Sequence, residues 1–162
     1  LVLCGLTACA TQPGITGLPY ASAVSVYKAE SVLYLHDENG TSYRSYKIAL
    51  GGNPVGHKQF EGDHKTPEGL YYIETRNPNS KFHLSLKISY PNEQDRAYAE
   101  SQGLSPGGDI FIHGVPNEKN ALEKYFYRFK EQWTQGCIAL TNKDMEELWS
   151  LVGDGTPIMI YP

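Results

Sequence analysis

Cys137 and His113 are the two side chains whose types can together perform covalent chemistry. A thiol with an ordinary pKa of about 8.5 is mostly protonated at neutral pH, so it needs an imidazole to take its proton before it attacks a carbonyl. His113 ends the apolar run Asp109-Ile110-Phe111-Ile112, which reads as a strand delivering it. Such a base must be oriented through its other ring nitrogen. No carboxylate stands beside it in sequence, so the backbone carbonyl of Gly114 is the expected acceptor. Cys137 follows Thr134-Gln135-Gly136. A glycine there lets a substrate carbonyl approach the backbone, whose N–H groups stabilise an oxyanion. The chemistry predicted is acyl transfer through a thioester. Neither residue argues this alone, since a cysteine before Ile138-Ala139-Leu140 is usually a small buried hydrophobe and a histidine after an apolar strand is usually a core residue.

Composition narrows the setting. The 162 residues, 40% of them hydrophobic, suit one globular domain behind a short N-terminal segment. The net charge of −4 and singly scattered Lys and Arg exclude a nucleic-acid partner. No His, Cys or carboxylate group has convincing ligand spacing, so neither a metal nor another cofactor is expected. His36, His57, His64 and His83 are read as solvent-facing. Asp63 and Lys65 are assigned to fixing their loop, and Tyr90 with Pro91 to the border of the substrate cleft.

Twelve Tyr, sixteen Gly and ten Pro among short apolar runs predict a strand-and-turn protein with few helices. Residues 31–35 and 43–50 read as a hairpin turning at Asn39-Gly40. The turn Thr66-Pro67-Glu68-Gly69 leads into a strand at 70–73, and Phe82, Leu84, Leu86 and Ile88 alternate as another. Residues 92–102 predict a surface helix stopped by Gly103. Leu122, Tyr125, Phe126 and Phe129 recur at helical spacing and are assigned to the core. A last helix, capped by Thr141 or Asn142, buries Met145, Leu148, Trp149 and Val152, and residues 157–161 close the sheet.

The first nine residues are apolar and too short to span a bilayer, and they resemble the tail of a signal peptide. Leu6-Thr7-Ala8-Cys9 resembles a lipobox, which makes Cys9 a candidate for lipidation. With Ala10 next, that motif implies the outer membrane in a Gram-negative envelope. Residues 10–27, rich in Pro, Gly, Ser and Thr, read as a linker, with the folded domain at 28–162. The only membrane attachment expected is this lipid anchor.

From about Ala29 to Pro162 the chain resembles the YkuD-type L,D-transpeptidase catalytic domain. The resemblance rests on Gly62-Asp63-His64-Lys65-Thr66-Pro67-Glu68-Gly69, then Ile112-His113-Gly114, then Thr134-Gln135-Gly136-Cys137, in that order. It implies a mainly β fold, a β-sandwich of mixed sheets with two or three short helices. It also implies action on peptidoglycan stem peptides. Cys137 is then the nucleophile, with His113 and Gly114 catalytic and Thr134, Gln135, Gly136 and Tyr90 at the substrate. The implied reaction forms a thioester with the diaminopimelate of a tetrapeptide stem and passes it to an amine. That amine is another stem, giving a 3-3 cross-link, or a lysine of an envelope lipoprotein. Hydrolysis as a carboxypeptidase, an amidase releasing a lipoprotein, and a binding module without catalysis are the alternatives. The sequence departs from the family at Gln135, where a His is usual, and at Ala139, where an Arg or Asn is usual. The interval between His113 and Thr134 is long, and its extra residues 117–132 are read as a surface helix rather than a lid.

Overall fold

A computed structural model describes residues 17–162; the expected signal remnant with its Cys9 and the first part of the expected linker lie outside the described residues. The strands are β1 (Ala23–Tyr27), β2 (Val32–His36), β3 (Ser42–Lys47), β4 (Leu50–Gly51), β5 (Gly69–Ser80), β6 (His83–Ile88), β7 (Phe111–His113), β8 (Gln132–Thr134), β9 (Ile138–Ala139) and β10 (Pro157–Tyr161). Three short helices accompany them: α1 (Glu93–Ser101), α2 (Ala121–Tyr127) and α3 (Asn142–Leu151).

Eight strands form one mixed sheet in the order β3-β2-β1-β10-β5-β6-β7-β9, and β4 pairs with β8 beside it. The twelve-residue β5 belongs to both halves of the large sheet. Its start pairs with β10, its remainder with β6, and a register shift between Ile73 and Thr75 marks the change. Such an irregularity bends a strand and raises its twist, which lets the two halves cover one another. Between them lies one core. Val24, Val26, Leu33, Leu35, Ile158 and Ile160 supply one side, and Leu86, Ile112 and Ile138 with Met145, Leu148 and Leu151 of α3 supply the other.

The hairpin, the strand at 83–88, the helix at 93–101 and the closing strand match the sequence reading, but the hairpin's second arm ends at Lys47, with Leu50 and Gly51 pairing elsewhere, and the strand expected at 70–73 runs on to Ser80. Thr141 caps α3, its hydroxyl accepting from the Asp144 N–H. The domain boundary near Lys28 is corrected. Residues 23–27, expected in the linker, form β1 in the middle of the sheet, paired with β2 on one side and β10 on the other. Val24 and Val26 are 1% and 0% exposed, and the intervening Ser25 bonds His36 Nε2 at 2.7 Å. The Pro- and Ser-containing run before it masked a strand whose partners come from both ends of the chain.

A second correction concerns α2. Leu122, Tyr125, Phe126 and Phe129, assigned to the core, are between 51% and 65% exposed. The helix has no buried residue. The histidines divide as well: His64 is exposed, whereas His57 is half-buried with Nδ1 accepting from the Glu68 N–H and Nε2 against Asp95 at 3.0 Å. His36 and His83 are half-buried too, each with a side-chain partner.

Candidate active site

The loop behind Cys137 is held by buried side chains bonded to its backbone and to one another. Asp63 is its knot: one carboxylate oxygen takes Lys58 Nζ at 2.8 Å and the Lys65 N–H, and the other takes the N–H groups of Gln59 and Phe60. Desolvation raises the Asp63 pKa, but Lys58 and these N–H groups together bring it below the ordinary carboxylate value. Lys28, also buried, reaches Glu68 Oε1, the Gly56 carbonyl and the Thr66 carbonyl, so it ties the far end of the same loop. The Thr66 hydroxyl accepts from the Gly51 N–H. Two glycines then admit the loop. A Cβ on Gly51 would lie 2.1 Å from the His64 carbonyl oxygen, and one on Gly136 would lie 2.6 Å from that of Lys65, with Gly136 at φ +131°.

Thr134 shapes the turn before the thiol. Its hydroxyl donates to the Cys137 carbonyl at 2.7 Å and accepts the Gly136 N–H at 3.1 Å. Expected at the substrate, Thr134 and Gly136 thus have these polar groups engaged within the turn itself, while Thr134 and the exposed Gln135 line the cleft.

Strand register puts thiol and imidazole on one face, where the Cys137 thiol donates to the Asp109 carbonyl at 3.7 Å. Ile112 of β7 pairs in parallel with Ile138 of β9, and both are fully buried. Alternation then turns Phe111, His113 and Cys137 to the opposite face, where all three line a cleft of about 750 Å³. His113 Nδ1 donates to the Gly114 carbonyl at 2.7 Å, as expected from sequence. In the neutral ring this leaves Nε2 as the acceptor. The Gly114 peptide is itself held, its N–H donating to the Phe82 carbonyl at 2.9 Å, and the Val115 N–H donates to Asn142 Oδ1 at 2.8 Å. Phe82 lies against the imidazole with ring centroids 4.5 Å apart, and Trp133 meets it edge-on at 5.7 Å.

Burial sets both proton affinities. It drives His113 below the ordinary histidine value, with the Gly114 carbonyl opposing. It pushes the Cys137 thiol up, countered by the Phe111 N–H and the Lys58 charge and reinforced by Asp109. The resting pair is therefore a neutral thiol and a neutral imidazole, the protonation states that general-base activation requires.

Tyr90 does not belong to this site. It is 2% exposed, packs edge-on against Tyr71 and donates to the Pro106 carbonyl, so its ring is core and the cleft is walled by others. Sequence reading missed Ser85, which stands opposite His113 on β6, as well as Phe82 and Asn142. The alternation of Leu84, Leu86 and Ile88 already put Ser85 on the face away from the core, which was the available signal.

The family model described as the YkuD L,D-transpeptidase catalytic domain matches residues 21–160. YafK of Escherichia coli (strain K12), named provisionally as an L,D-transpeptidase, is 29% identical over 151 residues, covering 86% of this chain and 53% of YafK. Among solved structures, the helical cell shape determining protein Pgp2 of Campylobacter jejuni superimposes with a TM-score of 0.64 at 30% identity, over 85% of this chain and 46% of Pgp2. An L,D-transpeptidase from Mycobacterium smegmatis shares the fold, with a TM-score of 0.55 at 12% identity over 86% of this chain and 58% of that one. The chain thus spans about half the length of YafK and of Pgp2. With a mainly β fold of mixed strand direction and a model match over nearly its whole length, the chain belongs to the YkuD family of L,D-transpeptidase catalytic domains.

Proposed function

We propose that this domain is a cysteine acyltransferase acting on peptidoglycan stem peptides. The observation that supports it is the shared face of Cys137 and His113 with His113 Nδ1 engaged by Gly114. In the proposed reaction Cys137 Sγ attacks the carbonyl carbon at the L-centre of diaminopimelate in a tetrapeptide stem, and its proton passes to His113 Nε2. The Cys137 N–H is the proposed oxyanion donor, that of Gly136 being engaged by Thr134. Collapse breaks the amide to the terminal D-Ala, whose amine leaves with the proton held on the imidazole. The thioester is then taken by an amine, from another stem or from a lysine of an envelope lipoprotein.

Gln135 and Ala139 occupy positions where the family usually carries His and Arg or Asn, and they favour one second reading, in which water resolves the thioester or the enzyme cleaves a lipoprotein from its stem. Location in the periplasm, with Cys9 lipidated and anchored in the outer membrane, belongs to the same proposal. Incubating the purified protein with a disaccharide-tetrapeptide, with and without an amine acceptor, and separately with a lipoprotein-linked stem, separates these outcomes by mass spectrometry. Transfer to the amine supports transpeptidation, loss of D-Ala alone identifies a carboxypeptidase, and release of a lipoprotein-linked stem identifies an amidase. Cys137→Ser should abolish turnover with an unchanged melting temperature, because the same base cannot activate a hydroxyl of much higher pKa. Near-wild-type turnover in that variant would remove Cys137 from the mechanism.

A further inference from the structure

Three polar side chains stand in one row across the sheet, on the face that carries Cys137. Asn77 of β5 is opposite Ser85 of β6, Ser85 is opposite His113 of β7, and all three line the cleft. Ser85 is only 3% exposed, and no hydrogen bond to its hydroxyl is seen among the described residues. The hydroxyl is not sealed in either, since among those residues the Tyr46 hydroxyl is the fully buried side-chain polar atom without a partner. It opens onto the cleft, beside the base. Asn77 accepts the Asn79 N–H on Oδ1, which leaves its Nδ2 amide as a donor.

Lys81, in the turn joining β5 to β6, also lines the cleft and makes no ion pair among the described residues. The other cleft lysine, Lys58, is bound to Asp63. The acidic lining residues Glu61 and Asp109 lie elsewhere. Asp109 precedes β7 and contacts Lys87, whereas the Lys81 turn lies past the other end of β7, where the Gly114 N–H meets the Phe82 carbonyl. An amide N–H, a hydroxyl and an ammonium lining one cleft, none of them with an acidic partner among the described residues, suit a carboxylate.

We propose that Asn77, Ser85 and Lys81 form a subsite for a carboxylate of the substrate, and that the diaminopimelate side chain supplies it. This rests on the acyltransferase reading for the identity of the substrate. The row gives the distance argument. Adjacent strands lie about 4.8 Å apart, which puts Asn77 about 10 Å from His113. The terminal D-Ala carboxylate sits about one Cα step, roughly 3.8 Å, beyond the scissile carbonyl. The diaminopimelate side-chain carboxylate ends a four-carbon stem, reaching about 6 to 7 Å at ordinary bond lengths. From a carbonyl held beside His113, the shorter arm stops short of Ser85, one strand away at about 4.8 Å, whereas the longer arm passes Ser85 towards Asn77 and the Lys81 turn.

The test compares three tetrapeptide stems: the natural diacid, one with the side-chain carboxylate of diaminopimelate amidated, and one with the D-Ala carboxylate amidated. Wild type, Ser85→Ala and Lys81→Gln are assayed on each. Calorimetric binding of the same stems is measured to Cys137→Ala and to Cys137→Ala carrying either substitution. On the natural stem, Lys81→Gln and Ser85→Ala should raise KM about tenfold, the scale of a lost charge-assisted hydrogen bond, with kcat little changed. On the side-chain amide the variants should match wild type, because the charge they recognise is gone. Equal losses on all three stems would overturn the subsite. Losses that vanish only on the D-Ala amide would overturn the diaminopimelate assignment and give the site to the terminal carboxylate. Absence of turnover by wild type on every stem, with binding still sensitive to Lys81 and to the side-chain amide, would instead defeat the acyltransferase reading and leave the subsite standing.

Discussion

His113 carries more of the site's behaviour than its one hydrogen bond suggests. His113→Ala should slow thioester formation by about 10² to 10⁴ fold, the usual loss of a general base, and a smaller effect measured by single-turnover mass spectrometry would place the base elsewhere. Its pKa is held below the ordinary 6.5 by burial, so the active neutral form persists as pH falls past that value. The acid limb of kcat/KM should therefore have its midpoint below 6.5, and a midpoint above it would contradict the buried setting. The same shift has a sign for stability. Below pH 6.5 the unfolded chain binds the proton before the folded one does, so this group's contribution is full above that pH and declines toward the folded pKa. For Cys137 the shift is upward, so the protein should show no thiolate absorbance at neutral pH. At this scale the contact of His113 with the Gly114 carbonyl was legible in the sequence, because the two are neighbours in the chain, whereas Cys137 and His113 took their reading from the order of the motifs around them. Ser85, Phe82 and Asn142 were not legible, because they reach His113 or its supporting peptide through strand pairing and loop contacts across tens of residues.

Among elements, the loop from Lys58 to Glu68 and the turn before Cys137 meet through glycines. Gly51→Ala sets a methyl group 2.1 Å from the His64 carbonyl oxygen, where backbone rather than a flexible side chain must yield. It should destabilise the fold by about 2 kcal/mol or more in denaturant titrations and slow acylation, because the loop supports Gly136. A change within about 0.5 kcal/mol would show that the approach relaxes freely. Element types were readable where alternation or capping is local, as in the hairpin at Asn39-Gly40 and in α3 behind Thr141. The face of α2 was misread because its periodicity is real but what it faces is solvent. Leu122→Ser and Phe126→Ser should accordingly change stability by less than about 0.5 kcal/mol, whereas a loss of about 2 to 4 kcal/mol would return these side chains to a packed setting.

Across the whole molecule, chain ends that are remote in sequence meet in the centre of the sheet. β1 lies between β2 and β10, and its two valines are almost fully enclosed. A protein starting at Lys28, where the sequence reading put the domain boundary, should fail to give a cooperative unfolding transition, and one starting at Gly17 should retain it. Normal cooperativity in the shorter protein would make β1 dispensable. The boundary was hard to read because a five-residue strand after Pro- and Ser-containing sequence gains its stability from distant partners rather than from local pattern. The same architecture separates the two tryptophans. Trp133 meets the His113 ring edge-on in the cleft, while Trp149 sits on α3 beneath the Arg76 guanidinium, on the face where Arg76 pairs with the buried Leu86. Replacing Trp149 by Phe would leave one indole, whose emission a protonated imidazole quenches on contact. His113 would then report its own charge as fluorescence, without a label and before any substrate is added.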